Sequence, residues 1–148
     1  MKYFEDFNVG DEVRFGRYEV TAEEIIDFAR RYDPQPFHID PEAAKQSLFG
    51  TLCASGWHTC AMTMRMLVQW MQESGQTSEG SPGIEQLRWL RPVVPGDVLS
   101  MCVKVVGARL SGSRPGYGLV TFEQQTVDAA GKPVMTMTST VFFRQRPA

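Results

Sequence analysis

The chain is short of cysteine and of histidine, has no basic excess, and contains no long apolar run. Its three cysteines are Cys53, Cys60 and Cys102. The number is odd and no two stand at C-x-x-C spacing, which excludes a disulfide framework and a cysteine-based zinc motif. Buried apolar thiols are the expectation. A net charge of -2 excludes the basic footprint of a nucleic-acid binder. No apolar stretch is long enough to span a bilayer. The opening Met1-Lys2-Tyr3-Phe4-Glu5-Asp6 places acids where a secretory signal needs a basic and then an apolar run, so a cytoplasmic protein is expected. What remains is an ordinary globular composition of 148 residues, 43% hydrophobic and 22% charged. That suits one domain, 1–148, large enough to bury a core.

Val13 to Val20 is rich in β-formers and reads as a strand. Thr21-Ala22-Glu23-Glu24 reads as a capping box, and Ile25, Ile26, Phe28 and Ala29 continue it with helical spacing to about Tyr32. The helix must stop at Asp33, because a residue before proline is pushed out of the α region. Asp40 and Pro41 open a second, short helix. The longest helical segment runs from Gly56 to Glu73. Trp57, Cys60, Ala61, Met64, Leu67, Val68, Trp70 and Met71 make its apolar belt, and His58, Arg65, Gln69 and Gln72 its polar stripe. So apolar a helix is expected to be largely enclosed. After the polar loop 74–83, four strands are expected: Ile84–Val94, Val98–Ala108, Leu119–Val127 and Pro133–Arg144, parted by turn-forming residues. Together these elements predict an α+β fold in which a bent antiparallel sheet wraps a long central helix. A sheet edge left over would need cover, which points to a dimer.

The chemistry concentrates in Asp33-Pro34-Gln35-Pro36-Phe37-His38. A carboxylate and one of only two histidines stand five residues apart on a segment stiffened by two prolines, where no helix or sheet is expected to continue. Such a pair can share one water and move its hydroxyl and its proton, so the segment points to adding or removing water. Asp33 closes a helix at its negative end, which predicts a somewhat stronger base than a free aspartate. Ser55 is placed to cap the long helix, its side chain accepting from the amide of Trp57 or His58. That would leave the Gly56 amide free at the positive helix end, where a carbonyl oxygen gaining charge would be stabilised, and a glycine lets a ligand approach the backbone. His58 with Asp33, His38 and Asp40 has no metal-site spacing, so no metal is expected. Arg88, Arg91, Arg109 and Arg114 are candidates for phosphate contact, though surface strands and loop tips carry such residues anyway. The many methionines read as core filling.

These parts together resemble the MaoC-like dehydratases, the (R)-specific enoyl-CoA hydratase group of the hotdog fold. The family motif has Asp, then Asn-Pro, an aliphatic residue and His, and a glycine at the head of the central helix 18 residues after the histidine; Gly56 stands at that distance from His38. The likeness extends to Phe4-Glu5-Asp6-Phe7-Asn8-Val9-Gly10-Asp11, to Asp40-Pro41-Glu42-Ala43-Ala44 and to Arg91-Pro92-Val93-Val94-Pro95-Gly96-Asp97. The resemblance implies a hotdog hydratase/dehydratase acting on acyl-CoA thioesters, with CoA as part of the substrate and no other cofactor, assembled as a homodimer or a dimer of dimers. Asp33 would activate the water, His38 would hold it and exchange the proton at the α-carbon, and the Gly56 amide would polarise the thioester carbonyl. Ser55, Gln35, Phe37 and Trp57 would flank the substrate. Gln35 replaces the family's Asn and Phe37 its smaller aliphatic residue, which bears on the choice of substrate. Two alternatives stand beside this one: a hotdog thioesterase, against which counts the lack of any Asp or Glu between Trp57 and Gln72, and a non-catalytic acyl-thioester binding module.

Overall fold

The C-terminal strands form because their residues alternate between a face that can be buried and one that can stay wet. The computed structural model describes residues 1–148. A 3₁₀ turn at Phe4–Asp6 leads to β1 (Glu12–Glu19), α1 (Ala22–Tyr32), α2 (Pro36–Ile39), α3 (Pro41–Lys45) and α4 (Gly56–Glu73). Then follow β2 (Ile84–Trp89), β3 (Val98–Leu110), β4 (Tyr117–Val127) and β5 (Pro133–Arg144). The five strands form one antiparallel sheet in the order β1-β3-β4-β5-β2. With the long helix α4 packed against it, this is the hotdog fold. None of the helices is long and apolar enough to cross a membrane.

Contacts along α4 show how it crosses the sheet. Cys60 Sγ reaches Met135 Sδ of β5, Thr63 Oγ1 bonds Thr126 Oγ1 of β4 at 2.6 Å, and Trp70 stacks on Phe15 of β1 at 4.4 Å. Between them Met66 lies against Gly16, whose φ of +82° places it in left-handed backbone at an irregularity in β1. A Cβ there would meet Met66 Sδ at 2.8 Å, so position 16 needs glycine both for its backbone and for the helix. Phe7, from the N-terminal segment, closes the core against Phe143 at 4.4 Å.

The buried face of α4 differs from the expected belt. It is His58, Thr59, Met62, Thr63, Met66 and Leu67 that are buried, while Trp57 and Met64 are 61% and 49% exposed. Residue-by-residue hydropathy missed the threonines, which go inside because Thr63 finds a partner in Thr126. Trp57, Ala61, Met64 and Val68 instead form an uncovered or half-covered apolar stripe along the helix. Five of the eight methionines (Met62, Met66, Met101, Met135 and Met137) are buried in the core, as the core-filling reading requires. Cys53 is buried; Cys60 and Cys102 are half-buried, and all three are free thiols.

Two other expectations need correction. The strand beginning at Ile84 ends at Trp89 rather than Val94, because Pro92 and Pro95 cannot donate to a ladder. The two prolines around Gln35 do not exclude helix, since Pro36 occupies the first position of the one-turn helix α2. Proline is tolerated there because that N–H would be unpaired in any case.

Candidate active site

Asp33 is the C-cap of α1, with φ -151° and ψ 67°, and its amide donates to Ala29 O at 2.8 Å. Pro34 forbids another helical turn, so the carboxylate projects at the point where the chain turns away. Gln35 Nε2 then donates to Asp33 Oδ1 at 2.7 Å. The residue that departs from the resembled motif thus holds the acid in place. Pro36 starts α2, and two residues later His38 is delivered to the interior, 6% exposed.

His38 Nδ1 lies 2.7 Å from Cys53 O. A carbonyl only accepts, so Nδ1 carries a proton, and in the neutral ring Nε2 then presents a lone pair. Nε2 faces Asp33 Oδ2 at 3.4 Å. A lone pair and a carboxylate oxygen are both acceptors, and what satisfies both is a donor with two protons. A water molecule has that property, and the Cys53 carbonyl, in the loop before α4, is the group that sets this tautomer. Sequence inspection had no signal for it, since it is a backbone atom 15 residues away.

Asp33 corrects an expectation. Partial burial pushes its pKa up, but the hydrogen bond from Gln35, the nearby Ser55 hydroxyl and the nearby His38 outweigh burial, and the net shift is downward. It is a weaker base in the ground state than the helix end alone suggests. Ser55 is a second correction. Its side chain makes no cap bond to α4 and its Oγ is fully enclosed without a hydrogen-bond partner. It lies close enough to Asp33 to lower that acid. The cap is absent because Ser55 is oriented to the acid rather than to the helix amides.

The consequence for α4 is direct. The amides of Gly56, Trp57 and His58 have no acceptor within the protein; Thr59 is the first to donate inward, to Ser55 O. The positive end of an 18-residue helix is therefore unsatisfied. Asp33, Gln35, Phe37, His38, Gly56 and Trp57 all border a single cavity of about 450 Å³, and Ser55 is buried behind it. That volume lies within the usual range for small-molecule sites, roughly 300–1,000 Å³. Phe37 stands edge-on to His38 at 4.5 Å and tilted to Phe49 at 5.2 Å, forming an aromatic wall.

Among the lining residues that sequence reasoning did not place there are Phe49, Cys53 and Trp89. Trp89 comes from β2, 33 residues from Gly56, and its Nε1–H donates to Gly56 O at 2.9 Å. Of the arginines considered for phosphate contact, Arg91 borders the cavity, but its guanidinium is bound to Asp97 at 2.9 Å and to Asp128 at 3.0 Å. Arg109 borders a different groove and Arg114 lies over Phe142.

His58 is neither exposed nor part of this pair. It is 2% exposed, stacked on Phe28 at 4.7 Å, with Nε2 3.2 Å from Glu24 Oε1. Glu24 also accepts from the Tyr18 hydroxyl. The expected capping box is thus half formed: Thr21 Oγ1 accepts from the Glu24 amide at 3.2 Å, while the Glu24 carboxylate turns to Tyr18 and His58. Asp40 caps α3 as expected, accepting from the Glu42 amide at 2.9 Å.

The sequence comparisons address what kind of site this is. A family model described as the MaoC like domain matches residues 6–127. The chain belongs to the MaoC-like dehydratase family. It is 39% identical to a MaoC-like dehydratase from Rhodospirillum rubrum, whose structure superposes with a TM-score of 0.86 over 100% of both chains. It is 29% identical to the 3-hydroxyacyl-thioester dehydratase Z of Mycobacterium tuberculosis, over 84% of this chain and 82% of the relative. An (R)-hydratase from A. caviae shares the fold, with a TM-score of 0.70 at 23% identity over 97% of this chain and 99% of that one. Membership places the MaoC-like chain among hydratases and dehydratases, enzymes of the lyase type.

Proposed function

We propose that the protein interconverts a trans-2-enoyl thioester and an (R)-3-hydroxyacyl thioester, with CoA as the carrier and no other cofactor required. The observation that carries this reading is the opposition of the two acceptors. Asp33 Oδ2 and His38 Nε2, an acceptor in the neutral ring, stand 3.4 Å apart on the wall of a cavity that Gly56, whose amide has no acceptor within the protein, also borders. A water donating one proton to each acceptor has its oxygen lone pair aimed into the cavity. In hydration that oxygen bonds to C3 of the enoyl group as the C2–C3 π bond shifts toward the carbonyl. The proton released from the water passes to the pair and is returned to C2. Dehydration is the reverse, and both events use one face of the substrate. The transient negative charge resides on the thioester oxygen, and unsatisfied helix amides favour such an oxyanion. Preorganised donors of this kind contribute roughly 10²–10³-fold each in acyl chemistry.

The test is direct. Loss of the conjugated enoyl absorbance is followed across a panel of enoyl-CoAs, with free thiol assayed in parallel. Hydration without thiol release is expected. Thiol release in step with the loss of absorbance would indicate attack at the carbonyl carbon and a thioesterase. Ligand binding without either reaction would leave a binding module.

A homodimer is part of the same reading. β2 is a sheet edge with five of its six residues exposed, and Ile84 at its start is 47% exposed. The stripe of Ala61, Met64 and Val68 on α4 supplies further uncovered apolar surface. An unpaired edge and an apolar stripe on one chain are features that a second copy would cover. Sedimentation at equilibrium tests it: a monomer at micromolar concentration would refute the dimer without touching the chemistry.

A further inference from the structure

Gly56 was expected to be glycine so that a ligand could approach the backbone. The space where its Cβ would stand is in fact filled by protein. A Cβ at 56 would come within 2.6 Å of Trp89 Cε2 and 2.9 Å of Cδ2 and Cζ2. These are atoms of one rigid two-ring plate, so relief requires the whole indole or the start of α4 to move. The indole is held by its Nε1–H bond to Gly56 O at 2.9 Å and by the edge of Trp57 at a centroid distance of 5.5 Å. It is also 44% exposed and borders the cavity that holds Asp33 and His38. The chain accepts backbone strain just before it: Gln86, the sole non-glycine residue at positive φ (51°), sits in a bulge between Glu85 and Arg88. A bulge re-aims the side chains that follow it.

We propose that Trp89 is the specificity-determining wall of the acyl site and the residue that positions the first turn of α4 through Gly56. The inference rests on the thioester reading above and extends it. Acyl groups enter between the aromatic wall of Phe37 and Phe49 and this indole, so the ring limits how wide or long an acyl group fits. Because the same ring abuts Gly56, side-chain size at 89 and at 56 is coupled.

Two measurements test it on the full chain. The first is binding of saturated straight-chain acyl-CoAs, short to long, by titration calorimetry; these ligands lack the double bond and cannot be hydrated. For Trp89→Ala the ratio of long-chain to short-chain affinity is expected to rise by about tenfold or more, the scale of discrimination a pocket of this kind shows per methylene. Trp89→Phe, which keeps a smaller ring and stands in should the alanine variant fail to fold, is expected to shift the ratio in the same direction by less. An unchanged ratio in both overturns the specificity role even if hydration is confirmed. Shifted ratios in a protein that hydrates no enoyl-CoA overturn the proposed reaction and not Trp89; binding of none of the ligands overturns both. The second is a double-mutant cycle in thermal stability. Gly56→Ala is expected to lower Tm in wild type and to lower it much less in the Trp89→Ala background. An equal loss in both backgrounds overturns the coupling.

Discussion

Replacing Asp33 with Asn separates chemistry from folding because the two carboxylate oxygens do different things. Oδ1 accepts from Gln35 at 2.7 Å, and an amide oxygen can take over that bond. Oδ2 faces His38 Nε2 at 3.4 Å, and an amide nitrogen there donates to the lone pair instead of competing for a water. The variant keeps its local hydrogen bonding but loses both the base and the second acceptor. Loss of a positioned general base lowers the rate by about 10²–10⁴-fold, or about 3–5 kcal/mol of barrier. Loss of fold stability should stay below about 1 kcal/mol, since neutral hydrogen bonds replace charged ones at a partly solvated position. The assay is steady-state loss of the enoyl absorbance for both proteins, with urea unfolding of the same samples. Wild-type kcat/KM in Asp33→Asn would refute the water-sharing geometry. So would an activity loss that merely tracks an equal loss of stability.

Other perturbations probe the frame. Thr63→Val leaves Thr126 Oγ1 without its 2.6 Å partner in the core and should cost about 1–2 kcal/mol in urea unfolding, with kcat little changed. Gly16→Ala puts a side chain on left-handed backbone and against Met66, and should cost about 1–3 kcal/mol by the same measurement; a neutral result would show that α4 does not pack as described. Burial holds the His58 pKa below 6.5 despite the opposing pull of Glu24. The unfolded chain therefore binds that proton first, so stability is full above pH 6.5 and declines as the pH falls below it, by at most about 1.4 kcal/mol per unit. His58→Phe, stacked on Phe28, should flatten this slope; a wild type that gains stability on acidification from pH 7 to pH 5 would contradict the sign.

Much of the fold was readable because local rules and tertiary demands agree. The span Gly56–Glu73 and the strand Pro133–Arg144 coincide with their sequence-derived limits, since a loop glycine and a turn set them locally. Asp33, His38 and Gly56 border one cavity. What could not be read depends on atoms far apart in the chain. The tautomer of His38 is set by a carbonyl at position 53, and the need for glycine at 56 is set by an indole at position 89. Ser55 and Glu24 each fit a capping motif, but the interior offered them Asp33 and His58 instead. A motif ranks local partners and has no access to those supplied by packing. The direction of the Asp33 shift failed for the same reason: the helix end was visible in the sequence, and the two donors that outweigh it were not.

The acid and the imidazole are separated by only four residues, and that short segment is tethered at both ends, by Asp33 N to Ala29 O at 2.8 Å and by Asp40 N to Pro36 O at 2.9 Å. Gly56, the proposed oxyanion donor, sits on a different element, joined to them through Cys53 and through space. One half of the machinery is thus a local cassette, and the other is registered to it only by tertiary assembly. Mild heat or denaturant that loosens the assembly will dissociate donor from cassette while the cassette itself stays intact, so catalysis should fade before helical content does.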